Sequence, residues 1–147
     1  MSDQESRISY HLVDVQDWEL PDEAEVTTWL EYVVQHNGRS IQAVNIVFTS
    51  DEYLLALNKE HLEHDYFTDI ITFDLSQGET APIWADLFIS VERVRDNAQQ
   101  LGETFIDELH RVMAHGLLHI CGFDDHTPED QAEMRRAEER ALGMRMF

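Results

Sequence analysis

Apolar positions along this chain change their period several times, and each change marks an element. From Arg7 to Val15 the pattern includes alternating stretches, the period of two that a half-buried strand requires. Pro21 to Gln35 opens on Pro-Asp-Glu, sets Val26, Trp29, Leu30 and Val33 on one helical face, and ends near Asn37-Gly38. Ile41 to Thr49 is β-branched and stops at Ser50-Asp51, which predicts a strand feeding a serine- or aspartate-capped helix that carries Tyr53, Leu54 and Leu57. Ile70 to Leu75 and Ile83 to Ser90 predict two more strands, joined as a hairpin through the turn-prone segment from Ser76 to Thr80. Ser90 to Gln100 reads as a helix stopped by Gly102, and Thr104 to Cys121 as a longer apolar helix. Thr127-Pro128-Glu129-Asp130 supplies the cap, first-turn proline and early acids of a last helix. This order predicts an α+β fold, a four-stranded, mostly mixed sheet covered by helices, in one domain spanning residues 1–147.

The helix from Thr104 to Cys121 carries the chemistry and is expected to be central. Leu109, Val112, Met113 and Leu117 suit packing on the sheet, whereas Glu108, His115 and His119 share a face expected to line a cleft. His115 and His119 are four residues apart, so their imidazoles stand one turn from each other, close enough to grip one cation. Gly122, three residues on, is placed to end the helix in a left-handed turn that brings Asp125 or His126 back toward the pair. Three protein ligands suit a catalytic zinc, which keeps a fourth position for water. Cys121 reads as a small apolar filler and not as a ligand. Glu108, seven residues before His115, either orients a ligand or is a solvated acid. The zinc peptidase pattern His-Glu-x-x-His is absent, because Gly116 stands where its glutamate would be.

The run HGLLHICGFDDH, from His115 to His126, resembles the signature of the YbeY family of metal-dependent endoribonucleases. Leu57-Asn58, the segment Thr68-Asp69-Ile70-Ile71-Thr72-Phe73 and the strand Ala85-Asp86-Leu87-Phe88-Ile89-Ser90 are similar to further family motifs, in the family's order. The resemblance implies a zinc-dependent, single-strand-specific endoribonuclease that acts in ribosomal RNA maturation and ribosome quality control. Two positions depart from the pattern. Where the family has its third histidine, this chain has Asp125, so carried over without a gap the metal ligands are His115, His119 and Asp125; a one-residue insertion in the turn would pass the third place to His126. At Leu62 the family has an arginine suited to a phosphate, a role for which Lys59 and Arg111 are the substitutes in view. Thr68 and Asp69 match a strand start that serves either the site or plain capping. Asp124, His126 and His64 are candidates for moving protons, so the catalytic residue stays open.

Composition changes the picture in three ways. At 147 residues and 43% hydrophobic content the chain can bury one core without staples, and its single cysteine excludes an internal disulfide. The opening MSDQESRISYHL has no charged-then-apolar leader and no apolar run long enough to span a bilayer, so a soluble cytoplasmic protein is expected, with no membrane partner. The net charge of -20 runs against an RNA substrate unless cations such as Lys59, Arg93, Arg95 and Arg111 cluster near His115, or a ribosome presents the RNA. Other readings in view are a metal-dependent hydrolase of another substrate and a non-catalytic ribosome-assembly factor with a structural zinc. Imidazole and carboxylate donors also accept other divalent transition metals.

Overall fold

The computed structural model describes residues 7–62 and 67–147, with nothing stated for the Leu62 side chain. His64 lies outside these residues. The elements are β1 (Ile8–Val13), α1 (Glu23–His36), β2 (Ile41–Thr49), α2 (Asp51–Leu62), β3 (Ile70–Asp74), β4 (Ile83–Ser90), α3 (Val91–Leu101), α4 (Phe105–Ile120) and α5 (Pro128–Gly143). Each matches an element expected from the periodicity, with ends shifted by one or two residues.

The four strands form one mixed sheet in the order β1-β2-β4-β3. β1, β2 and β4 run parallel, while β3 pairs antiparallel with β4 as the expected hairpin. The two faces of the sheet differ. Ile83, Ala85, Leu87 and Ile89 alternate along β4 into the main core, as a strand with one covered face demands. On the other face Ser9 and Asn45 form a polar ladder: the Ser9 hydroxyl donates to Asn45 Oδ1 at 2.9 Å, and the Asn45 amide donates to Asp86 at 3.0 Å.

α4 lies against the core face. Leu109, Val112, Met113 and Leu117 are all buried, as their spacing predicts, and each fully buried chain of this size contributes roughly 1.5–3 kcal/mol. Gly116 lets the helix approach the strands closely: a Cβ there would sit 2.8 Å from Ile70 Cδ1 and 2.9 Å from Leu87 Cδ2. Position 116 therefore belongs to the helix–sheet seam, which explains a glycine where a side chain would clash. α5 then packs on α4 with Met134, Ala137, Glu138 and Ala141 buried. It is tied to α1 by the Trp29 indole, which donates to the Ala141 carbonyl at 2.7 Å.

Candidate functional site

α4 begins with Thr104 as a cap, its hydroxyl accepting from the Asp107 amide at 3.1 Å. It ends at Cys121, and Gly122 takes φ 116°, a left-handed conformation that turns the chain at the expected residue. The Phe123 amide returns to the Leu118 carbonyl at 3.1 Å, closing the helix end. The following turn is held from the other side by Gln131, whose amide donates to the Asp125 carbonyl at 3.1 Å. Thr127 caps α5, with Pro128 in its first turn.

This turn places Asp125 Oδ2 3.8 Å from His115 Nε2, at the mouth of a cleft of about 370 Å³ between α4, α5 and the start of β3. His115, Asp125, Asp69, Arg111 and Glu138 all line it. Asp125 is partly exposed, its side chain keeping 45% of its accessible surface against 28% for His115. His119, expected to line the cleft, instead stands exposed one turn further along α4 outside its lining, and its Nδ1 lies 3.1 Å from the Phe123 carbonyl. Cys121 is half-buried, and burial pushes its thiol pKa up, which favours the inert thiol expected of a filler. Asp124 and His126 are exposed and do not line the cleft. Among the described residues, no group of three His, Cys, Asp or Glu side chains is gathered closely enough to hold an ion.

The donor chemistry nevertheless fits a metal. A carbonyl or an ionised carboxylate only accepts hydrogen bonds, so a ring nitrogen facing one must carry the proton. His115 Nδ1 faces Glu138 Oε2 at 2.7 Å and His119 Nδ1 faces the Phe123 carbonyl, so each neutral ring keeps its lone pair on Nε2. On His115 that nitrogen is the one turned toward Asp125.

Glu138 has no counterpart among the residues expected from the motif, and it changes the role of two that were. Glu108 does not orient a ligand, nor is it solvated: it is 1% exposed and chelated by Arg111 at 2.6 and 2.7 Å. Arg111 cannot serve as an open phosphate clamp, because the same guanidinium also donates to Glu138 at 3.0 Å. Two buried carboxylates explain the geometry, since an unpaired buried charge costs several kcal/mol and one arginine fork satisfies both. Burial alone would raise the Glu138 pKa, but hydrogen bonds from His115 and Arg111 win and hold it below the usual range. The hydrogen bond to Glu138 in turn raises His115. Glu108 is raised by burial against the pull of Arg111.

Asp69 sits on the cleft floor, where burial raises its pKa and His115 and Arg111 oppose the rise. Asn97 donates to it at 3.3 Å, and its carbonyl accepts from the Ser90 amide at 3.0 Å, so the residue both ends the strand pair and faces the site. Thr68 turns its hydroxyl to the Ile70 carbonyl at 3.4 Å, which is the capping role. Arg93 is bound to Asp51 at 2.6 Å, and Arg95 lies over the Phe105 ring at 5.0 Å; neither lines the cleft. The cations that do are Arg111 and Arg135, and Arg135 is exposed on the same face of α5 as Gln131 and Glu138.

Fold and cleft together describe an α+β domain with an imidazole–carboxylate network opening to solvent beside a helix end. The model of the family described as endoribonuclease YbeY matches residues 12–144, and the chain belongs to that family. Among similar proteins, endoribonuclease YbeY of Cytophaga hutchinsonii is 46% identical over 97% of this chain and 99% of its own length. The protein of the same name from Bacteroides thetaiotaomicron is 44% identical over 86% of this chain and 92% of its own. The solution structure of TM1509 from Thermotoga maritima superposes with a TM-score of 0.65 at 23% identity, covering 93% of this chain and 87% of that one, a likeness of fold.

Proposed function

We propose that this protein cleaves single-stranded RNA with the help of one zinc ion held by His115, His119 and a donor from the turn, Asp125 or, in its place, His126. That it is a hydrolase of RNA phosphodiester bonds follows from its family; the zinc, the strand preference and a role in ribosomal RNA maturation in the cytoplasm are our reading. The observation that carries it is His115, fixed through Nδ1 by Glu138 and presenting Nε2 to Asp125 in the cleft. Zinc, when bound, supplies Lewis acidity toward a phosphoryl oxygen and acidifies water toward neutrality.

The chain's own residues do the rest. Arg111 is shared by two carboxylates, so Arg135 at the rim is the cleft cation left to a substrate phosphate. Asp69, a carboxyl that burial keeps protonated to higher pH than usual, is the group placed to hold or pass a proton inside the cleft. With a net charge of -20 and so few cations at the cleft, free RNA binds weakly, which favours RNA presented on a ribosome. No helix among the described residues is long and apolar enough to cross a membrane.

The test is cleavage of a single-stranded RNA by the purified protein with and without chelator, beside His119→Ala and Asp69→Asn. We expect the chelator and His119→Ala each to abolish cleavage. Asp69→Asn should lower kcat by roughly 100-fold with little change in KM. Cleavage that survives both chelation and His119→Ala would remove the metal from the reading.

A further inference from the structure

The structure assigns Glu138 as the positioning residue of the site: through His115 Nδ1 it fixes which ring nitrogen faces the cleft, and it is itself held by Arg111 over Glu108. The inference rests on the zinc reading for its consequence but not for its geometry. Glu138 is 4% exposed, and both of its oxygens are committed, Oε2 to His115 at 2.7 Å and Oε1 to Arg111 at 3.0 Å. Arg111 is fixed from below by Glu108, 1% exposed, through Nε at 3.1 Å and Nη2 at 2.6 and 2.7 Å. The chain Glu108–Arg111–Glu138–His115 crosses from α4 to α5 and back, and it leaves the carboxylate no other orientation that satisfies both donors.

Burial of this kind has a cost that packing alone does not repay. Met134, Ala137 and Ala141 make the apolar stripe by which α5 seats on the core, and a fourth apolar side chain at 138 would seat it as well without bringing a charge indoors. A carboxylate in that stripe gains its place by what it holds. A ligating imidazole commonly donates its other N–H to such a group, which selects the tautomer and increases the basicity of the ligating nitrogen. In neutral imidazole free in water the proton favours Nε2, the nitrogen required here as ligand, so without an acceptor at Nδ1 the ring presents a donor to the cleft instead of a lone pair.

Two variants and two readouts test this. Glu138→Leu matches the stripe and removes the acceptor; Glu138→Gln keeps one acceptor oxygen, for which His115 and Arg111 compete. Long-range 15N–1H spectra of the metal-free protein at alkaline pH, where the ring is neutral, report the His115 tautomer. We expect the Nδ1–H form in the natural protein and its loss in Glu138→Leu. Zinc affinity, read by competition with a chromophoric chelator, should fall by about 10–100-fold in Glu138→Leu and by less in Glu138→Gln. An Nδ1–H tautomer kept in a folded Glu138→Leu would overturn the assignment. If Glu138→Leu does not fold, an Nε2–H tautomer of His115 in the natural protein overturns it. If the natural protein binds no zinc, the metal reading fails while the tautomer comparison still decides the role of Glu138.

Discussion

Two histidines five residues apart on α4 live in opposite electrostatic worlds. His110, 3% exposed, faces the α1 side, with Trp29 tilted against it and Phe147 meeting it edge-on, ring centroids 5.3 and 5.5 Å away. There Arg145 donates to its Nδ1 at 2.9 Å, an arrangement open only to the neutral ring, and burial first and Arg145 second push its pKa down to about 4. His115 faces the cleft, where the hydrogen bond to Glu138 outweighs burial and raises its pKa. Burial of the ring is common to both. What differs is the sign of the charge that the neighbouring element brings, a cation from beyond α5 for His110 and a carboxylate from within it for His115. One ring is thereby kept neutral, and the other is favoured in its protonated form.

The sharpest way to break this contrast is to remove the donor that meets His115 from the turn. Asp125→Ala should weaken zinc binding by more than about 100-fold, beyond what partners outside the ligand set account for. Because Asp125 is exposed, its unfolding free energy should stay within about 0.5 kcal/mol of the natural chain. The same chelator competition on His126→Ala distinguishes the two candidate donors, and normal affinity in both variants would mean that the turn supplies no ligand.

On the buried side the effect moves from binding to stability. Arg111→Met leaves Glu108 and Glu138 without their shared cation and should cost about 3–5 kcal/mol in urea unfolding at neutral pH. The loss should shrink in acid, where protonated carboxyls no longer need the guanidinium; an equal loss at both pH values would mean that packing, not charge, is at stake.

For His110, protonation favours the unfolded chain. The unfolded ring titrates near 6.5 and the folded ring at about 4, so between these values the unfolded chain holds a proton that the folded chain refuses. Stability is therefore full above pH 6.5 and declines by about 3 kcal/mol as the pH falls toward 4. His110→Asn, which keeps an acceptor for Arg145, should flatten the thermal unfolding profile across that window, and an unaltered slope would contradict the shift.

The smallest change expected is at the seam. Gly116→Ala gains about 1 kcal/mol of helix propensity but forces a methyl group into Ile70 and Leu87, which costs typically 1–3 kcal/mol. A net loss of about 1 kcal/mol in the same urea titration is expected, with zinc affinity little changed.

The sequence made some of this readable and hid the rest for definite reasons. Element order, the apolar face of α4, the Gly122 turn and the return of Asp125 are all local consequences of spacing, and local physics preserves them in the fold. Sheet order is not local: β4 enters between β2 and β3, and nothing in the hairpin pattern states which earlier strand it joins. Glu138 was hidden because the segment MRRAEER reads as a solvated, charged stretch. A signal existed, since Met134, Ala137 and Ala141 set an apolar stripe at helical spacing, and Glu138 falls inside it. Arg111 was legible as a cation, but its commitment to Glu138 depends on how α5 docks, which no short window encodes.

The Trp29 bond to Ala141 fixes α5 against α1, and α5 brings the carboxylate that sets His115. As ribosomes make the chain, His115 and His119 therefore emerge before the group that aligns the first of them. A nascent polypeptide at that stage carries His115 with the Nδ1 partner still unsynthesised, so the orientation of that ring waits on the docking of the last helix.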